Sequence, residues 1–141
     1  MVDVMIGLFV ASVIATAFLG SVVYAVQYSI EHNRKLQAEF LAVEMLEVAR
    51  ELETSNWSAI VACGTCYPEA NGGAWSLPAG TENVGPFTRS MTVEDVSRTL
   101  GVIDPAGNDD ERTKKVIATV TWPVRENVRE LKLEIYVYKF F

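Results

Sequence analysis

Cys63-Gly64-Thr65-Cys66 places two thiols at a spacing that serves three chemistries. They could form a dithiol redox site, half of a zinc site, or a short disulfide. A zinc site needs two more ligands, and the only histidine, His32, lies in a charged segment well upstream. A thioredoxin-like redox site expects a strand–helix–strand setting, whereas Gly and Pro surround this pair. A structural disulfide and free thiols are left, and the choice turns on whether the domain is exported. Oxygen ligands gather further on, in Asp104, Asn108, Asp109, Asp110 and Glu111. They could take Ca²⁺ at residues 104–111, but their spacing is not that of an EF-hand, and acidic hairpin loops are ordinarily just solvated. Asn56-Trp57-Ser58 matches a glycosylation sequon, at a point where Asn and Ser also suit the end of a helix. No nucleophile has a histidine partner, no Gly-rich loop cradles phosphate, and no motif pairs two carboxylates, so the chain is not expected to be an enzyme.

The remaining chemical oddity is Asp3, an acid at the edge of an apolar run. From Val4 to Val26 there is no Lys, Arg, Asp or Glu. At about 1.5 Å per residue that helix covers roughly 35 Å, enough to cross a bilayer core. A carboxylate beside such a segment is costly in lipid and usually has a paired role. The simpler alternative is a helix N-cap at headgroup level, where a carboxylate satisfies free N–H groups. Ala15-Thr16-Ala17 resembles a signal-peptide cleavage site, but nothing before Arg34 is basic and the run is long for a signal peptide, so retention is expected. Without a basic leader, the positive-inside rule would hold Arg34 and Lys35 in the cytoplasm together with all that follows.

Helical patterning continues beyond the apolar run. Leu41, Met45, Val48 and Leu52 recur at helical spacing, flanked by Ala38, Ala42 and Ala49, while Glu39, Glu44, Glu47, Arg50, Glu51 and Glu53 lie off the stripe. That predicts one long helix, apolar over 1–26 and amphipathic over 27–54, whose stripe packs on a sheet. Residues 55–141 read as a small head. Trp57–Pro86 is rich in Gly and Pro and reads as a loop region. Strands are expected at 87–97, 115–122 and 131–141, with Phe87, Arg89, Met91 and Val93 on one face of the first. Val116, Ala118, Val120 and Trp122 alternate in the second, and Leu131, Leu133, Ile135 and Val137 share a face of the third. The fold class is α+β, a long helix on a small antiparallel meander. The net charge of −6 and scattered basic residues argue against nucleic acid as the main ligand.

Asp3-Val4-Met5-Ile6-Gly7-Leu8-Phe9-Val10-Ala11-Ser12 resembles the start of mature type IV pilins and pseudopilins, with Asp where the family carries Glu. In this register the helix-weakening proline of many members falls on Gly20, the next-best helix weakener. Two mature residues and a basic leader would then precede Met1. A second register makes Met1 the mature N terminus and puts Met5 at the acid's position. The resemblance extends to Arg89-Ser90-Met91-Thr92-Val93, then Lys114–Trp122, then Leu131–Tyr138, which look like the closing strand series of many minor pilins.

The resemblance implies a structural subunit of a type IV pilus-like filament. Its partners would be other copies of itself or related pilins, and the inner membrane before assembly. The protein would be a single-pass inner-membrane protein first, and an extracellular pilus or periplasmic pseudopilus component afterwards. Asp3 would pair with a neighbour's N-terminal amine, Gly20 would mark the weak point of the helix, and export would favour a Cys63–Cys66 disulfide. The alternative is a membrane-anchored, exported β domain that binds a partner and never polymerises.

Overall fold

The computed structural model describes residues 2–139. Met1, within the expected apolar helix 1–26, and Phe140 and Phe141, within the expected strand 131–141, lie outside the described residues. One helix, α1, runs without interruption from Val2 to Ser55, about 80 Å at the usual rise. The chain divides into two units, residues up to Leu36 and residues from Gln37 onward. The first is helix alone.

In the second unit, the remainder of α1 packs on an antiparallel sheet, so the fold class is α+β as the sequence pattern predicts. Ala38, Ala42, Met45, Val48, Ala49 and Leu52 are all buried, and Leu46 joins them. The three alanines let the helix axis come close to the sheet, and Met45 and Leu52 fill the space between them. Facing them are Phe87, Met91 and Val93 of one strand, Val116, Ala118, Val120 and Trp122 of the next, and Val137. The helix ends at Ser55, where the hydroxyls of Thr54 and Ser55 turn back onto the Glu51 carbonyl.

The strands are β1 (Cys63–Cys66), β2 (Glu69–Asn71), β3 (Ala74–Ser76), β4 (Glu82–Val84), β5 (Phe87–Thr99), β6 (Val102–Ile103), β7 (Asn108–Val124) and β8 (Asn127–Tyr138). The main sheet has the order β1-β5-β7-β8, with β4 and β6 also paired to β5, while β2 and β3 make a separate hairpin. The region Trp57–Pro86 is therefore not simply a loop. It holds a short 3-10 helix, Trp57–Ala59, and four short strands, two of them bonded to β5. Those strands are too short to alternate, and their pairing is made by backbone groups that the side-chain pattern does not reveal.

The second and third strands also begin earlier than their apolar alternation suggests. β7 starts at Asn108, because Asp109 and Asp110 continue the ladder opposite Ser97 and Val96. Residues 111–113 bulge out between the pairs Val96–Asp110 and Asp95–Lys114. The acidic segment expected as a loop is thereby reduced to a turn over 104–107.

The buried stripe of α1 sets the stability of the head. Met45→Ala should lower its unfolding free energy by about 2–5 kcal/mol, because it leaves a cavity between helix and sheet. Phe40→Ala, on the exposed side of the same helix, should change it by no more than about 0.5 kcal/mol. Urea unfolding of the detergent-solubilised chain, followed by tryptophan fluorescence, measures both.

Candidate assembly surface

Every residue from Val2 to Gln37 is exposed. The part of α1 with the highest apolar content has none of its surface covered, and it is long and apolar enough to cross a membrane. Its polar side chains are already satisfied. Ser12 donates to the Phe9 carbonyl at 2.7 Å, Thr16 to the Ser12 and Val13 carbonyls at 2.9 Å, and Ser21 to Phe18 at 2.7 Å. Hydroxyls that bond back to their own helix ask nothing of the surroundings. Asp3 lies in the first turn, at the positive end of the helix dipole. Gly20 is in unbroken helix, and a Cβ built there would meet nothing within 4 Å. The glycine is not required by packing within the subunit.

In the head, Cys63 and Cys66 are joined by a disulfide. They do not stand in a free loop. Cys63 pairs with Val93 and Cys66 with Met91, and the ladder shifts register between them, so the bond closes an irregular edge strand. Thr92 donates its hydroxyl to the Gly64 carbonyl at 3.0 Å across the same edge. Asn56 is exposed, and its side-chain oxygen accepts the Ser58 hydroxyl at 2.6 Å. His32 stands with its ring parallel to Tyr28 on the exposed helix.

The acidic residues at 104–111 are engaged with the protein itself. Asp104 accepts the Ala106 N–H, and its carboxyl is held below the ordinary range by that bond and by the Thr99 hydroxyl. Asp110 accepts the Thr113 hydroxyl at 2.6 Å and the Arg112 N–H at 3.0 Å, and it pairs with Arg98 Nε at 2.8 Å. Its carboxyl is lowered by the Thr113 bond first, then by Arg112 and Arg98. A depressed carboxylate contributes stability above its unfolded pKa and loses it as pH falls through the folded value, so these turns loosen only in acid. Among the described residues no group of three His, Cys, Asp or Glu side chains stands close enough to hold a metal ion.

One cluster joins residues that the sequence pattern does not bring together. Arg89, on the inward face of β5, is buried. Its Nε donates to Glu82 of β4 at 2.8 Å, and its Nη1 lies 3.2 Å from Glu44 of α1 in an ion pair without hydrogen-bond alignment. Burial alone would lower its pKa, but the two carboxylates outweigh that and hold the guanidinium above its ordinary value. A charged residue at an inward position of an alternating strand is the signal that points to it. Its partners could not be found that way. Two further bonds tie α1 to the rest of the head: Trp75 Nε1 donates to Glu51 at 2.8 Å, and the Tyr138 N–H donates to Glu53 at 2.6 Å.

Comparison with protein-family models, with curated proteins and with solved structures finds no match for this chain. The arrangement of a long apolar N-terminal helix, an antiparallel sheet and a cysteine pair is compatible with a pilin-like fold.

Two outcomes follow from these contacts. Arg89→Met should destabilise the head less than the double change Glu44→Gln with Glu82→Gln, which strands a buried cation; the difference should be about 1–3 kcal/mol in urea unfolding. Alkylation of native protein should add no mass at Cys63 or Cys66 unless reductant is added first. Cys63→Ser with Cys66→Ser should cost about 2 kcal/mol, since the closed loop is short.

Proposed function

We propose that this chain is a structural subunit of a type IV pilus-like filament, a pilin or pseudopilin held in the inner membrane before assembly. The observation that carries the proposal is the wholly uncovered apolar segment of α1, continuous with a helix that is itself embedded in a folded head. An uncovered apolar helix is not stable in water and needs lipid or other helices around it. A membrane supplies the first before assembly, and a bundle of identical helices supplies the second in the filament, leaving the heads outside. Association of this kind is heterologous and does not close on itself. Asp3, in the first turn, is then placed to meet the N-terminal amine of a neighbouring copy as it enters the bundle.

Asp3→Ala tests the proposal. Membrane insertion and folding of the head should persist, and insertion should be eased by something on the order of 1–3 kcal/mol. The yield of sheared filaments, set against subunit retained in the membrane, should fall sharply, while Asp3→Glu should assemble normally. A chain that never appears in a sheared fraction, with any residue at position 3, is instead an anchored binding module. In a filament map, residues 17–24 around Gly20, with Ser21, Val22 and Val23 after it, should be where α1 loosens. Unbroken helical bonding through that stretch in the filament would contradict this.

A further inference from the structure

Four hairpins in the head turn on two-residue loops: 72–73, 85–86, 100–101 and 125–126. Tight hairpin turns of this kind often need a positive φ at the first loop position, where Gly, Asn or Asp are favoured. Two of the four follow that preference, with Gly72 at φ 60 and Gly85 at φ 58. The other two put Leu100 there, at φ 52, and Arg125, at φ 54. These are the only non-glycine residues with positive φ among those described. Leu100 departs from preference twice, since its relative exposure is 100% and it is followed by Val102 at 69%. Backbone held in a sparsely populated region clusters at functional sites, and a fully exposed leucine there is open to a partner.

The ladder puts these two tips at opposite ends of one sheet. Arg98 pairs with Asn108 and Thr113 with Tyr138 at the Leu100 end, whereas Thr88 pairs with Thr121 and Val124 with Asn127 at the Arg125 end. The Leu100 hairpin is braced from below. Arg98 donates to the Gly101 carbonyl at 2.9 Å while it pairs with Asp110, and the Asp104 N–H donates to Ser97 at 2.9 Å. The tip is an apolar prong on a stiff base.

The two ends differ in charge. Residues 94–114 hold six carboxylates against three basic side chains. Lys114 and Arg98 are already taken up by Asp95 and Asp110, which leaves the end acidic. Residues 123–132 carry Arg125, Arg129 and Lys132 against Glu126 and Glu130. There Lys132 pairs with Glu130, Arg125 is engaged within the chain, and Val128 is 71% exposed beside Arg129. One end therefore offers an apolar tip in an acidic setting, and the other an exposed valine in a basic one.

We infer that the β5–β6 hairpin docks, through Leu100 and Val102, on the β7–β8 hairpin of a second copy, against Val128 with Arg129 facing the acidic base. Complementary patches at opposite ends of one head make a head-to-tail contact that propagates rather than closes. The inference rests on the copy-to-copy assembly proposed above and names the head surfaces that take part in it.

The test uses the full-length chain in native membranes and in the sheared fraction. With p-benzoyl-phenylalanine placed at Leu100, irradiation should give a product between two copies whose second site maps within residues 123–132. Absence of a copy-to-copy product, or one mapping elsewhere, overturns the inference, and it leaves the filament reading standing if filaments are still sheared from the cells. A product at 123–132 without any filaments keeps this contact and removes that reading instead. A second arm places the probe at Val128 in the Leu100→Asn background. Asn-Gly suits the turn, so the head's thermal midpoint should hold or rise, while cross-linking to residues 99–103 falls roughly tenfold with the lost apolar contact. Unchanged cross-linking there also overturns the inference.

Discussion

Everything in this protein hangs on the backbone of α1 satisfying its own hydrogen bonds from Val2 to Ser55. A polar N–H or C=O left open in an apolar surrounding costs several kcal/mol, so a segment with no polar neighbours can be nothing but helix. The same ladder then runs on into the head, where its other face has to be buried. One element thus carries two surface patterns. Its first half is apolar all round, and its second half is apolar on a single stripe.

Apolar packing fixes how closely the second half of α1 lies on the sheet, and polar contacts fix its rotation and register. The alanines at 38, 42 and 49 permit close approach, but a stripe of small and aliphatic residues alone would tolerate sliding. Glu44, Glu51 and Glu53 stop it by reaching three separate partners: Arg89, the Trp75 indole and the Tyr138 backbone. The glutamates that the stripe leaves off its apolar face are therefore not all solvated. Three of them are contacts along the helix flank. The buried Arg89 is tolerable because its carboxylate partners sit at the boundary with water, where their own desolvation is slight.

Much of the fold was legible in the residue pattern. The 3.6-residue stripe identified the buried face of α1, and the alternation in β5, β7 and β8 identified their inward faces, because in both elements a repeating side-chain preference is imposed by one buried side. Where that condition fails, the sequence was silent. β1 and β4 are too short for a side-chain period to show their pairing with β5, and Asn108–Asp110 extend a strand beyond the core with polar residues on both faces. Arg89 shares a face with Phe87, Met91 and Val93 in the residue pattern, but Glu44 and Glu82 could not be named as its partners, since contacts between distant elements leave no local period. Asp3 stood out as an acid at the edge of an apolar run, and Gly20 was reached through a resemblance at the N terminus; a Cβ at Gly20 would meet nothing within 4 Å among the described residues.

The hydroxyls of Ser12, Thr16 and Ser21 have a thermodynamic corollary. Each is committed to a carbonyl of its own turn, so the segment has almost no unmet polar demand of its own. Lipid tails are about as apolar as leucine, and exchanging lipid for the flank of another helix changes shape matching and dispersion but little else. On the assembly proposed above, such a segment would pass between two apolar media on a nearly level free-energy surface, like a piston in an oiled sleeve. Its direction would then be set by small asymmetries at its ends instead of by any preference of the apolar stretch itself.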